Sequence, residues 1–141
     1  MREYEHKHPG AEFAAEAMGF PLAATIKTLV IDLARRGYVL VLMPGNKEVD
    51  LKAVAKKFSI KRAAMADSAT AERLTGYLLG GISPFQTAKN LPLIIDEALM
   101  HFEKVAVNGG KRGLMLIMSP QDILRATGGD VFNVAKDGAS G

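Results

Sequence analysis

The sequence predicts an α+β domain whose mixed β-sheet curls towards a barrel. Two observations lead to this prediction. Apolar, β-branched segments of strand length occur in pairs around turn residues, as in β-hairpins. Helical patterns are scattered among these strands instead of alternating strictly with them. The 141 residues, 48% of them hydrophobic, are enough for one domain with a core of its own.

Two hairpins account for most of the predicted sheet. One has a tight turn at residues 35–37, and the other has a glycine-rich turn at residues 108–113. The predicted strands cover residues 2–6, 25–33, 38–43, 93–95, 104–107, 114–118 and 131–134, with a further short strand ending at Met65.

The predicted helices begin and end at capping residues. Asp50 caps a helix in which apolar residues recur on one face, and Asp67 or Ser68 caps the next. Ser119, followed by proline, begins another that stops at Gly128. The predicted helical segments are residues 11–18, 51–58, 69–74, 96–100 and 120–127, and residues 136–141 are expected to form a frayed tail.

Composition excludes several kinds of chemistry. Cysteine is absent, which excludes disulfides, thiolate catalysis and Cys-ligated zinc and fits a cytoplasmic protein. The charged start does not resemble a signal peptide, and the apolar runs are too short to predict a transmembrane helix. The net charge of +3 permits an acidic partner such as RNA without requiring one.

Residues 80–85, Gly-Gly-Ile-Ser-Pro-Phe, form the most distinctive segment. Two adjacent glycines allow positive φ and close approach of another molecule, and Pro84 stiffens the exit. Such a loop can direct amide N–H groups at a carbonyl or phosphate oxygen. Double-glycine turns are also common as structural turns, so the sequence alone leaves both interpretations open.

The basic residues also have a structural and a functional interpretation. Lys27 begins an apolar strand, where it either guards an edge or binds a phosphate or carboxylate beside the glycine loop. Lys111 and Arg112 either clamp a phosphate or only shape the second hairpin turn, and the glycine spacing of a P-loop is missing. A further basic set is either a solvated face or a nucleic-acid footprint: Lys52, Lys56, Lys57, Lys61 and Arg62.

Neither a metal centre nor a catalytic triad is predicted. His6 and His8 are spaced like metal ligands, but His101 is the only other histidine and cysteine is absent. Ser83 can be combined on paper with His6 and Asp96 into a triad. No nucleophile-elbow pattern surrounds Ser83, which fits a turn residue better.

Six short blocks occur in an order that resembles the YbaK/prolyl-tRNA-synthetase-associated domain family. The blocks are Tyr4-Glu5-His6, Lys27-Thr28-Leu29, Asp50-Leu51-Lys52, Thr75-Gly76-Tyr77, Gly80-Gly81-Ile82-Ser83-Pro84 and Gly110-Lys111-Arg112-Gly113. These proteins are similar to the editing insertion domain of bacterial prolyl-tRNA synthetase. The resemblance implies one editing-like domain over residues 1–141, with a barrel-like mixed sheet, flanking helices and a shorter N-terminus than usual.

The resemblance also implies an activity, the hydrolysis of the ester that joins an amino acid to a mischarged tRNA of the tRNA(Pro) type. Lys27 would hold the phosphate of the terminal nucleotide, and Gly80 and Gly81 would receive the substrate carbonyl. No cofactor or metal is implied, and the partners would be the tRNA 3′ end and, as a further candidate, an aminoacyl-tRNA synthetase. The implied substrate-binding residues are Tyr4, Ile82, Ser83, Pro84, Asn108 and Met115, and the implied RNA-binding residues are Lys52, Lys56, Lys57, Lys111 and Arg112.

Three positions depart from the Cys-tRNA(Pro) deacylase branch of this family. Asn108 stands where that branch usually has Ser, Met115 where it has Asp, and Gln86 where Gly is common. The change at Met115 removes a charge from the expected pocket and predicts a more apolar amino acid. Two alternatives stay open: a non-catalytic module that binds tRNA, a nucleotide or a synthetase, and a protein-interaction module without an RNA role.

Overall fold

The computed structural model describes residues 2–3, 19–78, 81–85, 87–110 and 114–137. Its strands are β1 (Arg2–Glu3), β2 (Ile26–Asp32), β3 (Tyr38–Pro44), β4 (Glu48–Val49), β5 (Ala64–Met65), β6 (Leu93–Asp96), β7 (Val105–Asn108), β8 (Leu114–Met118), β9 (Asp130–Phe132) and β10 (Ala135–Lys136). Its α-helices are α1 (Leu51–Lys57), α2 (Ser68–Thr75) and α3 (Pro120–Thr127), and 3-10 turns cover Leu22–Ala24, Ala34–Arg36 and Glu97–His101. Within these ranges, no helix has the length and apolar character needed to cross a membrane.

The larger sheet has five strands in the order β5-β2-β3-β6-β9. β2 and β3 form an antiparallel hairpin that runs from Ile26 opposite Pro44 to Asp32 opposite Tyr38. β6 lies parallel to β3, and β9 lies parallel to β6. The predictions of a mixed sheet and of the first hairpin are therefore confirmed.

A second sheet has the order β1-β8-β7, in which β7 and β8 form the second predicted hairpin. A parallel bridge between Thr25 and Ala106 connects the start of β2 with β7, so the two sheets meet along these strands. This junction turns the sheets around a shared core, and the predicted α+β fold with curled, mixed sheets is confirmed.

The shared core lies between the two sheets. Side chains alternate between the faces of a strand, and Val30 and Leu42 point from the hairpin to this inner side. They pack in one buried cluster with Val105 and Val107 of β7. The inner cluster therefore holds the two sheets together.

The outer face of the five-stranded sheet is covered by α1. Ile31 and Val41 pack there against Val54 and Ala55, the buried side of the amphipathic helix. Lys27 lies four residues before Ile31 on the same strand and shares this outer face.

Local capping signals explain the helix boundaries. Asp50, Asp67 and Ser119 each accept a backbone N–H of the following turn, with donor–acceptor distances of 2.7–3.2 Å. Gly76 and Gly128 end α2 and α3 with φ of 80° and 69°, a left-handed conformation that favours glycine. The predicted caps at Asp50, Asp67 and Ser119 and the predicted helix ends at Gly76 and Gly128 are therefore confirmed.

Two stretches near the C-terminus differ from their predictions. The strand predicted at residues 131–134 is Asp130–Phe132, and Val134 lies beyond it, buried in the outer cluster. Lys136 belongs to β10 and pairs with Glu48 of β4, so it is not part of a frayed tail. This ladder joins residues far apart in sequence, and no local pattern indicates it. The helix predicted at residues 11–18 and residues 4–6 of the first predicted strand lie outside the described ranges.

Candidate active site

The described part of the glycine loop is buried and held by short local hydrogen bonds. The N–H of Gly81 donates to the carbonyl oxygen of Leu78 at 2.9 Å, and the N–H of Phe85 donates to Oγ of Ser83 at 3.2 Å. Ser83 is 2% exposed and acts as a turn residue, the interpretation that the sequence favoured. The side chain of Ile82 packs into the inner cluster.

These bonds decide which loop amides can meet a ligand. The Gly81 amide is already used, and Pro84 has no N–H. The amides of Ile82 and Ser83 have no acceptor among the described residues. Successive N–H groups can bind an anionic oxygen, so among the described loop amides those of Ile82 and Ser83 are the candidate donors. Gly80, the other predicted donor, lies outside the described ranges.

Tyr77 connects the glycine loop to the turn after β7. Its hydroxyl donates to the carbonyl oxygen of Phe85 at 2.5 Å. Its ring lies against Gly110, where an added Cβ would come 3.1 Å from Cε1. Gly110 also has a φ of 111°, so both the backbone and the space require glycine. Sequence reasoning gave Tyr77 no role, because its partners are set by tertiary structure.

The base of this loop is fixed to the end of α2. The N–H groups of Ala88 and Lys89 donate to the carbonyl oxygens of Thr75 and Leu74, each at 2.9 Å. The Thr75 hydroxyl donates to the Ala71 carbonyl at 2.7 Å, and this bond within the last turn of α2 stabilises the end of the helix. The loop is therefore clamped at its base and again at Phe85, which limits its freedom to move away from the β7–β8 turn.

Asn108 and Met115 are brought together as directly opposite residues of the β7–β8 hairpin. Oδ1 of Asn108 accepts the N–H of Gly110 at 3.0 Å and shapes the turn. Met115 is 2% exposed and packs with Ala106 and Phe20 on one face of the smaller sheet. The two residues that differ from the Cys-tRNA(Pro) deacylase branch are therefore direct neighbours in one hairpin. Met115 is part of the packed interior and not of the exposed surface.

Lys27 lies beside this unit. β2 and β7 run parallel at the Thr25–Ala106 bridge, so Lys27 and Asn108, each two residues further on, lie at the same level of the two strands. Lys27 is half-buried, and this burial lowers the pKa of its ammonium group. The negative charge of Glu48 opposes that shift without cancelling it. The structure thus places a desolvated cation next to the β7–β8 hairpin.

The predicted RNA-binding lysines of α1 fall into two groups. Lys52 and Lys56 are exposed. The Lys57 side chain is 24% exposed, and its Nζ lies 3.8 Å from a carboxylate oxygen of Asp130 and 5.1 Å from the centre of the Phe132 ring. Lys57 is therefore less available to a phosphate than the other two. Lys111, Arg112 and Tyr4 lie outside the described ranges.

Asp96 has a structural role. It is 1% exposed, and its carboxylate accepts the N–H of Ala98 at 3.0 Å and the N–H of Val134 at 2.9 Å. These bonds occupy both oxygens and fix the end of β6 to the chain after β9, so Asp96 is not placed as a catalytic group. In the described part of the chain, no three His, Asp or Glu side chains are grouped to hold a metal ion.

Comparison with known proteins identifies the fold and the family. A family model for the aminoacyl-tRNA editing domain matches residues 7–126. The chain is 36% identical over 137 residues to "Putative Cys-tRNA(Pro)/Cys-tRNA(Cys) deacylase EbsC" of Enterococcus faecalis, covering 94% of this chain and 84% of that protein. It is 29% identical over 138 residues to "Multifunctional Ser/Thr-tRNA deacylase ProXp-y" of Escherichia coli, covering 94% and 83%.

The structural comparison agrees. The "Crystal structure of a putative trans-editing enzyme for prolyl tRNA synthetase" matches with a TM-score of 0.87 and 26% identity, covering 95% of this chain and 84% of that one. The family match spans most of the chain and includes Lys27, the glycine loop and the β7–β8 hairpin. The chain belongs to the aminoacyl-tRNA editing domain family.

Proposed function

We propose that the protein is a free-standing aminoacyl-tRNA deacylase that hydrolyses the ester of a mischarged tRNA. Its family is defined by editing domains, and two of its relatives are named for tRNA deacylation. An ester is an activated acyl group, so its hydrolysis does not require a protein nucleophile if the substrate and a water molecule are well positioned. The proposal therefore fits a chain without cysteine.

The observation that carries the proposal is the pair of amides at Ile82 and Ser83, which have no acceptor among the described residues and lie in a clamped loop. Water attack on the ester carbonyl produces a tetrahedral oxyanion, and two fixed N–H donors stabilise that charge as it develops. Collapse of the oxyanion breaks the bond to the ribose oxygen, which takes up the proton that the water loses. The products are a free amino acid and an uncharged tRNA.

In this mechanism Lys27 holds the phosphate of the terminal nucleotide. A half-buried ammonium binds a phosphate more strongly than an exposed one, because water screens the pair less. Lys52 and Lys56 are exposed and would attract the negatively charged RNA backbone towards the protein. Lys27 thus positions the reacting end, and the α1 lysines raise the rate of encounter.

The proposed substrate is a tRNA of the tRNA(Pro) type that carries an apolar amino acid. Met115 introduces no charge, and Oδ1 of Asn108 is bonded to the Gly110 amide. Neither residue offers a free carboxylate to a polar side chain of the substrate. The structural relative described as a putative trans-editing enzyme for prolyl tRNA synthetase supports the choice of tRNA and of a synthetase as a candidate partner, which would place the protein in the cytoplasm.

The test is a deacylation panel in which tRNA(Pro) carries Ala, Cys, Ser, Thr or Pro. We expect fastest release from a mischarged species and about a 100-fold slower rate for Lys27→Ala, the loss typical of a misplaced substrate. Arg35→Ala is the matched control, because it removes an exposed cation at the opposite end of the same hairpin. Equal rates for wild type and Lys27→Ala on every substrate would overturn the catalytic proposal.

A non-catalytic tRNA-binding module is the second candidate. The Gly81 amide already donates to the Leu78 carbonyl, so one of the donors predicted for the oxyanion is not available. This observation favours the non-catalytic candidate. This candidate predicts salt-dependent binding of tRNA without release of the amino acid. Binding measured beside the deacylation panel separates the two functions.

A further inference from the structure

β9 is an edge strand that carries apolar side chains on both faces. It is the last strand in the order of the five-stranded sheet, and no other described strand pairs with its outer edge. Val131 is 43% exposed and pairs with Ile95 of the inner cluster, so its side chain lies on the inner face of the sheet. Phe132 is 37% exposed and lies on the outer face. Edge strands of soluble proteins are usually protected by charged residues or covered by other segments, so this apolar edge indicates a binding surface.

The outer face of this edge also carries a pair of opposite charges. Nζ of Lys57, the last residue of α1, lies 3.8 Å from a carboxylate oxygen of Asp130 and 5.1 Å from the centre of the Phe132 ring. The ammonium group therefore lies above β9, between a carboxylate and an aromatic ring. The Asp130 side chain is 73% exposed, so most of its surface is open to a second cation.

A second copy of the chain fits this edge when the two β9 strands pair about a two-fold axis. Such an axis makes the strands antiparallel, and an axis at Val131, the middle residue of β9, gives the fullest overlap. Val131 then lies opposite Val131 of the second copy, and Asp130 lies opposite Phe132 of the second copy. Opposite residues of antiparallel strands have Cβ atoms about 4.5–5.5 Å apart, so each Lys57 meets Asp130 of the second copy as well as its own. The two-fold operation that joins the apolar side chains thus brings unlike charges together.

The opposite edge of the same sheet does not suit a second copy in this way. β5 contains Met65, which is 48% exposed, but this strand closely follows Lys61 and Arg62. Both cations are exposed, and neither forms an ion pair with a described residue. Two β5 strands that paired about a two-fold axis would bring these like charges together, which is destabilising. β9 is therefore the edge that suits self-association.

We infer that β9 is a self-association surface on which a second copy of the chain binds to form a two-fold dimer. The backbone N–H and C=O groups on the outer edge of β9 bond across the axis, and the two five-stranded sheets become one continuous sheet. The two Val131 side chains pack on the inner face of this sheet. The Lys57 and Asp130 charges of the two copies alternate on its outer face.

The interface lies apart from the proposed reaction site. β3 and β6 separate β9 from β2, so at about 4.8 Å per strand Lys27 lies roughly 14 Å from β9. Lys27 of each copy therefore stays outside the interface. The ladder has only three residues in each copy, so its area falls below the standard interface of about 1,600 Å², and we expect a weak dimer that depends on concentration.

Sedimentation velocity of the full chain without tRNA tests the dimer at protein concentrations from about 1 to about 300 µM. We expect the mean mass of wild type to rise towards twice the monomer mass over this range. Val131→Lys places two ammonium groups opposite each other at the axis and should weaken association at least about 10-fold. Met65→Lys is the matched control, because it introduces the same charge at an exposed apolar residue of the other edge strand, and it should associate like wild type.

An exchange of charges tests the contact between Lys57 and Asp130. Asp130→Lys should weaken association, because it brings cations together both within each copy and across the axis. The double variant with Asp130→Lys and Lys57→Asp restores unlike charges at both contacts and should dimerise again. Thermal unfolding of each variant verifies that it is folded.

The inference is overturned if wild type stays monomeric over the whole range, or if Val131→Lys associates as wild type does. It is also overturned if Met65→Lys weakens association equally, which would assign the contact to β5, or if the exchange of charges fails to restore the dimer. Because tRNA is absent, a dimer that depends on Val131 supports the inference even if the protein proves unable to hydrolyse any ester. Normal deacylation by a protein that stays monomeric overturns the inference and leaves the proposed function intact.

Discussion

Replacing Tyr77 by Phe tests whether the glycine loop is positioned through the β7–β8 turn. The change removes the hydroxyl that donates to the Phe85 carbonyl at 2.5 Å and keeps the ring against Gly110. Such a bond contributes about 0.5–1.5 kcal/mol, and a carbonyl left without its donor adds to the loss. We expect the free energy of unfolding to fall by about 1–2 kcal/mol and the Tm by roughly 3–8 °C.

The effect on catalysis follows from the same bond. If the clamp at Phe85 fixes the amides of Ile82 and Ser83, its loss weakens their contact with the oxyanion. A loss of about 1–2 kcal/mol at the transition state lowers kcat/KM by about 5- to 30-fold. Since the donors act on the oxyanion and not on the bound ester, the fall should lie in kcat with little change in KM.

Tyr38→Phe is the matched control. Tyr38 is also a half-buried tyrosine, but its hydroxyl makes no hydrogen bond to the described residues. Thermal unfolding and steady-state deacylation are measured for both variants on the best substrate of the panel. If Tyr77→Phe loses stability but keeps the rate of the control, the bond supports the fold without positioning the loop, and the reasoning is refuted.

Three further predictions concern charges and a buried hydroxyl. Lys27→Met should raise the free energy of unfolding at pH 7, because burial lowers the pKa of the Lys27 ammonium below its ordinary 10.5. Between the lowered pKa and 10.5, the unfolded wild-type chain binds more protons than the folded one, so wild-type stability rises with pH and the stability advantage of the variant becomes smaller. Urea unfolding at several pH values measures this advantage, and an advantage that does not change with pH would contradict the prediction. Thr28→Val should raise the free energy of unfolding by about 1 kcal/mol, because Oγ1 of Thr28 is buried without a partner among the described residues. Urea unfolding measures the change, and a loss of stability would show that the hydroxyl is bonded. Lys52→Ala and Lys56→Ala should each reduce the slope of log K against log [salt] for tRNA binding by about one unit. Lys57→Ala should change this slope less, because Lys57 lies near the Asp130 carboxylate. Equal effects of all three substitutions would contradict this role of Asp130.

Much of the fold could be predicted because its signals are local. The helix caps at Asp50, Asp67 and Ser119 are encoded within three or four residues of each helix start. The two hairpins are indicated by alternating apolar segments around short turns. The β4–β10 ladder was missed because its strands have two residues each and pair across most of the chain. Strands this short carry no period that a sequence pattern can reveal.

The candidate site was predictable only in its parts. The glycine loop and Lys27 were predicted as site residues from their residue types and order, but the bonds that fix the loop in place depend on tertiary structure. The link from Tyr77 to Phe85 and Gly110 joins three segments that no spacing rule relates. The same is true of the Gly81 amide, whose bond to the Leu78 carbonyl is not indicated by any local sequence pattern. Sequence thus identified the loop, and its assignment of the donors to Gly80 and Gly81 stays a prediction.

The pairing of Asn108 with Met115 explains why an acidic side chain at position 115 would be costly in this chain. Met115 is 2% exposed and packs with Ala106 and Phe20, so a carboxylate there would lose its hydration among these apolar side chains. Methionine removes that penalty and adds packing to the middle strand of the smaller sheet. Under the proposed function, orientation of the aminoacyl group would depend on the loop amides and Lys27, which do not contact the side chain of the amino acid carried. A site of this kind distinguishes its substrates by size and apolar contact, which separates amino acids that differ by one methylene by only about 10- to 200-fold.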